Sequence, residues 1–175
     1  FESFASLLGT VTKRCPGLLI VCLGERLVDQ MVSEVAQLYP GDNAVVPVAL
    51  ELDPSARLIQ GDTQLLRQVI HNLLQNAQDA QEGKSGALVT LKTDYVEAAG
   101  RVRLTVRDNG AGFPEHILKR AFEPYVTTKV KGTGLGLAVV KKIADEHGAR
   151  IDITNRVTDG VVQGAQVSLS FVLAA

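Results

Sequence analysis

From Asp62 to Gln81 the apolar residues fall at Leu65, Leu66, Val69, Leu73, Ala77 and Ala80, a helical period behind an aspartate suited to cap a helix N-terminus. Asn72 and Asn76, one turn apart, fall beside that stripe rather than opposite it. Downstream the period shortens: Leu88 to Tyr95 and Arg101 to Arg107 alternate as two strands, which predicts a hairpin turning through Glu97-Ala98-Ala99-Gly100. In its second arm Val102, Leu104 and Val106 face one way and Arg101, Arg103, Thr105 and Arg107 the other, and Asp108 continues the inward phase. Pro114 to Ala121 predicts a short helix with proline in its first turn, and Leu137 to His147 a longer one closed by Gly148. Arg150 to Arg156 and Gln166 to Leu173 read as closing strands.

Upstream, Leu18 to Leu23 reads as a short buried strand and Glu25 to Leu38 as a helix stopped by Pro40-Gly41. Val45 to Leu52 predicts a strand whose Pro47 places it at a sheet edge, because proline cannot donate to a ladder. Phe1 to Leu8 has a helical spacing that stops at Gly9, as if a helix were already under way, and predicts an excised piece of a longer protein.

Composition narrows the function classes. The 175 residues are 46% hydrophobic and 21% charged, with a formal net charge of −1. A globular domain of this length buries roughly 70% of its unfolded surface and needs neither disulfide nor structural metal. Cys15 and Cys22 have no second pair or histidine in ligand spacing, so they read as ordinary reduced residues and make the cytoplasm the default compartment. The 18 basic residues are dispersed, which argues against a nucleic-acid or membrane surface. No apolar run approaches the ~20 residues of a membrane span.

The chemistry concentrates between Asp108 and Leu137, where two glycine clusters bracket a basic loop containing Thr127, Thr128, Lys129 and Lys131. Glycines let backbone N–H groups approach a phosphate, and the lysines supply opposite charge, so the stretch reads as a nucleotide pocket with a lid. Gly132-Thr133-Gly134-Leu135-Gly136-Leu137 runs straight into a helix, the arrangement of an anion site. A Rossmann reading fails because position 137 is leucine and no strand precedes it. A P-loop reading of Gly83-Lys84-Ser85 fails because Gln78 stands where that motif needs glycine. Asp108-Asn109-Gly110 alone is an ordinary turn, but an inward carboxylate needs a donor, and an adenine exocyclic amine would serve, with Gly110 and Gly112 letting the base lie against backbone. Asn72 and Asn76 are either self-satisfied surface amides, or Asn76 offers its carbonyl oxygen to a hard cation such as Mg2+.

Taken together, Asn72-Leu73-Leu74-Gln75-Asn76-Ala77, Asp108-Asn109-Gly110-Ala111-Gly112, Phe122-Glu123-Pro124 and Gly132-Thr133-Gly134-Leu135-Gly136-Leu137 resemble the N box, first glycine box, F box and second glycine box of sensor histidine kinases. The run from Tyr125 to Gly148 is similar to kinases of the nitrogen-regulation (NtrY/NtrB) type within the GHKL superfamily. The resemblance implies the Bergerat ATP-binding fold, an α/β (α+β) two-layer sandwich whose mixed β-sheet carries helices on one face. It further implies that Asn76 binds Mg2+, that Asp108 reads adenine above Gly110 and Gly112, and that Gly132, Gly134 and Gly136 meet the phosphates of ATP. Thr128 and Lys129 fall in the lid, and Asn72, Ala80, Phe113, Thr133, Leu135 and Leu137 complete the implied ATP site. Many family members carry a basic residue three places after the metal asparagine; here it is Asp79, which puts a lysine contact from that helix in question.

By the same resemblance, residues 1–12 are the tail of an upstream dimerisation and phosphoacceptor helix and 13–175 the ATP-binding domain. The γ-phosphoryl is then destined for a histidine on that dimerisation domain, and the parent signals to a response regulator, with an inner-membrane anchor in the parent left open. The related fold also serves conformational ATPases, in which a glutamate resembling position 72 activates water. Asn72 cannot take a proton as a general base, so slow hydrolysis is expected. A nucleotide-binding module without catalysis is the third reading. His71, His116 and His147 read as solvated or capping residues rather than acceptors.

Overall fold

Asp62 accepts hydrogen bonds from the Gln64 and Leu65 amides at 2.8 and 3.1 Å, and the longest helix among the described residues starts from that cap. A cap of this kind is worth about 1 kcal/mol. The computed structural model describes residues 20–23, 46–53, 57–81, 83–129 and 132–173. Within these residues the elements follow as β1 (Ile20–Leu23), β2 (Val48–Glu51), β3 (Arg57–Gln60), α1 (Thr63–Asp79), β4 (Val89–Val96), β5 (Arg101–Asp108), α2 (Glu115–Leu118), α3 (Gly136–Glu146), β6 (Arg150–Thr158) and β7 (Val161–Val172).

Five strands form a mixed sheet in the order β2-β4-β5-β7-β6. β2 is parallel to β4 and lies at the edge, directly after Pro47, and the other pairings are antiparallel. β1 and β3 make a separate antiparallel ribbon, tied to the end of β7 through Ile59 and Leu173. Leu91, Leu104, Leu169 and Phe171 line one face of the sheet and share a single apolar core with α1 and with Val140, Ile143 and Ala144 of α3. The opposite face is polar: Arg107 donates to Gln166 at 2.7 Å, Arg101 donates to the Ser170 carbonyl at 2.6 Å, and the Thr105 and Ser168 hydroxyls lie 3.4 Å apart. The result is a two-layer α/β sandwich with helices on one side.

Several local expectations shift. The buried face of α1 comprises Leu66, Val69, Ile70, Leu73, Leu74 and Ala77, while Leu65 is half-buried and Ala80 exposed. A helix that packs on both a sheet and a second helix buries a broader, rotated arc than a single stripe. β3 has no counterpart in the sequence reading, since four residues are too few to show alternation. The closing strands are longer than expected: β7 begins at Val161, and the hairpin turns at Asp159-Gly160, with φ of 51° and 76°. Two consecutive positive φ values are what a two-residue hairpin turn requires. The helix expected over 114–121 contracts to Glu115–Leu118. The readings of residues 1–12, of the helix from 25 to 38 and of Lys131 lie outside the described residues.

Two glutamine amides fasten α1 to neighbouring backbone. Gln78 exchanges a pair of hydrogen bonds with Val46, at 2.7 and 2.8 Å, and the buried Gln81 does the same with Leu88, at 2.9 and 3.2 Å. Both hold the C-terminal end of α1, where the cleft begins.

Candidate functional site

A cleft runs between α1 and the chain leading from β5 to α3, in two compartments. The first, about 220 Å3, has an apolar floor of Leu73, Ala77, Val106 and Val167, with Ala80, Gly112, Phe113 and Ala165 around it and Asp108 at its base. Asp108 ends β5 in the inward phase and is 6% exposed. Its Oδ1 accepts hydrogen bonds from the Gly110 amide at 2.8 Å and the Ala165 amide at 3.1 Å. Burial pushes the carboxyl pKa above its usual range, against the opposing pull of those two amides and of the Arg156 and Lys84 charges. Oδ2 makes no hydrogen bond within the described residues and is the oxygen left for a ligand donor. The backbone is closed tightly around this group: a Cβ on Gly164, whose φ is 131°, would lie 2.0 Å from the Asp108 carbonyl oxygen. Gly110 does not line the cavity; it lies buried against Ala80, under the aspartate.

The loop wall beside Asp108 is held from β6. Asn155 accepts from the Phe113 amide at 2.8 Å and donates to the Phe113 carbonyl at 2.7 Å, so one side chain fixes both backbone groups of that residue. Arg156 donates to the Asp108 carbonyl at 3.0 Å.

The second compartment, about 260 Å3, is lined by Asn72, Asn76, Phe113, Thr128, Gly132, Thr133, Gly134, Gly136 and Leu137. α3 begins here, and Leu135 gives it no side-chain cap. Its first N–H groups therefore keep their donor capacity, and with the helix dipole they favour an anion. Leu135 lines neither compartment and is 37% exposed. Gly134, at φ 67°, carries the chain past Tyr125, whose amide donates to the Gly134 carbonyl at 2.9 Å; a Cβ there would lie 2.6 Å from the Tyr125 backbone. Lys129 borders both compartments, its Nζ 3.1 Å from Asn76 Oδ1 and 2.7 Å from Asp79 Oδ2.

A family profile described as histidine kinase-, DNA gyrase B-, and HSP90-like ATPase matches residues 61–175. The chain belongs to this family. An NtrY-like protein of Rickettsia bellii, described as a sensor histidine kinase, is 45% identical over 101 residues, covering 58% of this chain and 16% of its own length. The sensor histidine kinase ZraS of Klebsiella oxytoca is 36% identical over 126 residues, 71% of this chain and 27% of its own length. The chain thus spans between a sixth and about a quarter of these relatives. Among solved structures, the catalytic domain of the histidine kinase ThkA superposes with a TM-score of 0.70 at 28% identity, covering 83% of this chain and 92% of that one. Full-length ShkA in complex with AMPPNP matches with a TM-score of 0.70 at 25% identity, over 97% of this chain and 37% of that one.

As a member of this ATPase family the chain has an incomplete hydrolytic set. The described residues lining the two compartments include two carboxylates, Asp79 and Asp108, and no histidine. Asp108 lines only the first compartment and Asp79 is paired with Lys129, while position 72 is an amide, so the α3 end of the cleft has no unpaired carboxylate among its described lining residues to deprotonate water. His71 and His116 are exposed. His147 accepts from the Asp62 amide at Nε2, 2.9 Å, and its Nδ1 lies 2.8 Å from the Ile143 carbonyl. Those partners require the neutral Nδ1–H form and make the ring a latch between the start of α1 and the end of α3.

An Mg2+ ion suits the oxygens present: Asn76 Oδ1 already faces a positive group, and no group of three acidic, histidine or cysteine side chains among the described residues offers a self-sufficient metal cage. A metal here would depend on phosphate oxygens and water beside one or two protein oxygens. Asn155, Arg156, Gly164 and Ala165 are site residues that the sequence reading missed. The Asp159-Gly160 dipeptide between β-branched stretches was the signal that could have extended the hairpin to them.

Proposed function

We propose that the chain is the ATP-binding catalytic domain of a sensor histidine kinase of the nitrogen-regulation type. In this reading it binds Mg·ATP and presents the γ-phosphoryl to a histidine on a separate dimerisation domain. The observation that carries the proposal is the pairing of an uncapped, glycine-led start of α3 with a buried carboxylate at the other end of one cleft, the α3 end having no unpaired carboxylate among its described lining residues.

Asp108 Oδ2 accepts a hydrogen bond from the adenine amine while Gly112 and Phe113 border the base. The α3 amides, with Gly132, Thr133 and Gly134, hold the phosphate oxygens, and Thr128 and Lys129 close over them. Asn76 would hold Mg2+, which would supply positive charge to neutralise the phosphate oxygens. The acceptor imidazole nitrogen forms a bond to the γ-phosphorus as the bond from that phosphorus to the ADP oxygen breaks, and the domain contributes position and charge rather than a proton carrier. In this reading residues 1–12 are the tail of the upstream dimerisation and phosphoacceptor helix, 13–175 are the catalytic domain, and the phosphorylated histidine serves a response regulator. In this reading the domain works on the cytoplasmic side of a parent that an inner-membrane anchor would hold; among the described residues no helix is long and apolar enough to cross a membrane.

The test mixes the chain with ATP labelled at the γ-phosphorus and a separately prepared dimerisation segment of the parent. Acid-labile label on a histidine of that segment is the expected result. Rapid steady-state release of labelled phosphate with no label on the segment would favour a conformational ATPase. Nucleotide binding with neither outcome would favour a module without catalysis.

A further inference from the structure

Asn76 and Asp79 lie about one helical turn apart on α1 and turn oxygens toward the same positive group, since Lys129 Nζ is 3.1 Å from Asn76 Oδ1 and 2.7 Å from Asp79 Oδ2. Gln75 donates to the other Asp79 oxygen at 2.7 Å, which leaves Oδ2 aimed at the lysine. An amide oxygen and a carboxylate oxygen are hard donors, the kind that a divalent cation such as Mg2+ takes alongside phosphate and water. The lysine ammonium, brought by a loop on the other side of the cleft, stands where that cation would be held.

We propose that Asn76 and Asp79 together form one cation site, that the Lys129 ammonium fills it in the nucleotide-free protein, and that Mg·nucleotide binding is an exchange. Asn76 and Asp79 pass from Lys129 to the divalent cation, and Lys129 passes to a phosphate oxygen. The proposal rests on the nucleotide-binding reading above and adds Asp79 to its metal site. It also supplies the phosphate cation from the loop, on a helix whose own position 79 is acidic.

The exchange is energetically accessible. The Lys129 and Asp79 side chains are 38% and 36% exposed, so their pair is screened and weak and can be traded for stronger ionic contacts. Without metal, a nucleotide that recruits Lys129 leaves Asp79 without a cationic partner beside its phosphates, and the like charges repel. Asp79 thereby makes nucleotide affinity depend on the divalent ion.

Calorimetry with ADP, in excess Mg2+ and again in chelator, tests this on the wild-type chain and on Asp79→Asn. In the variant the ratio of the two affinities should shrink at least about tenfold, the scale on which metal-site partners act. A second measurement uses Mn2+ alone, followed by water-proton relaxation. Lys129→Met should bind Mn2+ more tightly than wild type, because the resident ammonium is gone, and Asp79→Asn combined with Lys129→Met should lose that gain. An unchanged Mg2+ ratio in Asp79→Asn, or equal Mn2+ binding by wild type and Lys129→Met, overturns the exchange while leaving nucleotide binding intact. Wild-type protein that binds no ADP in either condition overturns the underlying nucleotide reading instead.

Discussion

At the Asp108 end of the cleft the side chains are tied to backbone: Asp108 to the Gly110 and Ala165 amides, Asn155 to both groups of Phe113, and Arg156 to the Asp108 carbonyl. At the Lys129 end a long, partly exposed side chain reaches across to two others on α1. Asp108 and Ala165 stand on sheet strands, and Asn155 and Arg156 fasten the intervening loop and the end of β5 from β6, so the first end is fixed before a ligand arrives. Side-chain partners on a loop and a helix surface can be exchanged at little cost. In the proposed reading the base would meet a finished surface, and the phosphates one that rearranges around them.

The largest effect should come from breaking the fixed end at its tightest point. Gly164→Ala puts a Cβ against the Asp108 carbonyl at a backbone angle that L residues rarely adopt. The expected loss is at least about 3 kcal/mol of stability, read from urea denaturation. An unchanged transition would mean that the Asp108 end is not rigid.

Asp108→Asn sharpens the same end with a smaller change. The amide oxygen can keep both backbone bonds, so the fold should hold, while adenine nucleotide affinity falls by about 1–3 kcal/mol in calorimetry through a mispaired buried group. An unaltered affinity removes Asp108 from the base contact. The pH response has a defined sign. Burial raises this carboxyl pKa, so the folded chain holds the proton more tightly than the unfolded chain. Its contribution to stability grows as pH falls through the window between the ordinary carboxylate range and the raised value, and above that window the buried charge costs stability. The stability advantage of Asp108→Asn over wild type should therefore shrink as pH is lowered through the window, as denaturation at a series of pH values would show.

Lys129→Ala should have the smallest effect on folding, within about 1 kcal/mol of unfolding free energy as read from urea denaturation, because its ion pair is exposed. A loss of several times that size would make the two ends alike and end the contrast.

Much of this was legible in local pattern. The period of α1, its Asp62 cap, the inward phase of Asp108 and the glycine approach to α3 are properties of consecutive residues, and the edge position of β2 followed from Pro47 alone. Ala80 was placed on the buried stripe, but the structure exposes it as the cap of α1, at the rim of the cleft. β3 and the early start of β7 were not legible. β3 is stabilised by pairing with the distant β1 rather than by its own alternation, while the start of β7 pairs with β6 across a two-residue turn, and Gly164 interrupts the apolar pattern of β7 at the residue that lets the strand pass Asp108.

The sequence by itself determined which residue types stand at which phase of each helix and strand, because that depends on periods of two and of about 3.6 residues. Tertiary structure alone decided that Asn155 holds Phe113 from 42 positions away and that Lys129 lies on Asn76 and Asp79 across 53 and 50. Contacts that span such separations form when layers pack, and no local periodicity records them.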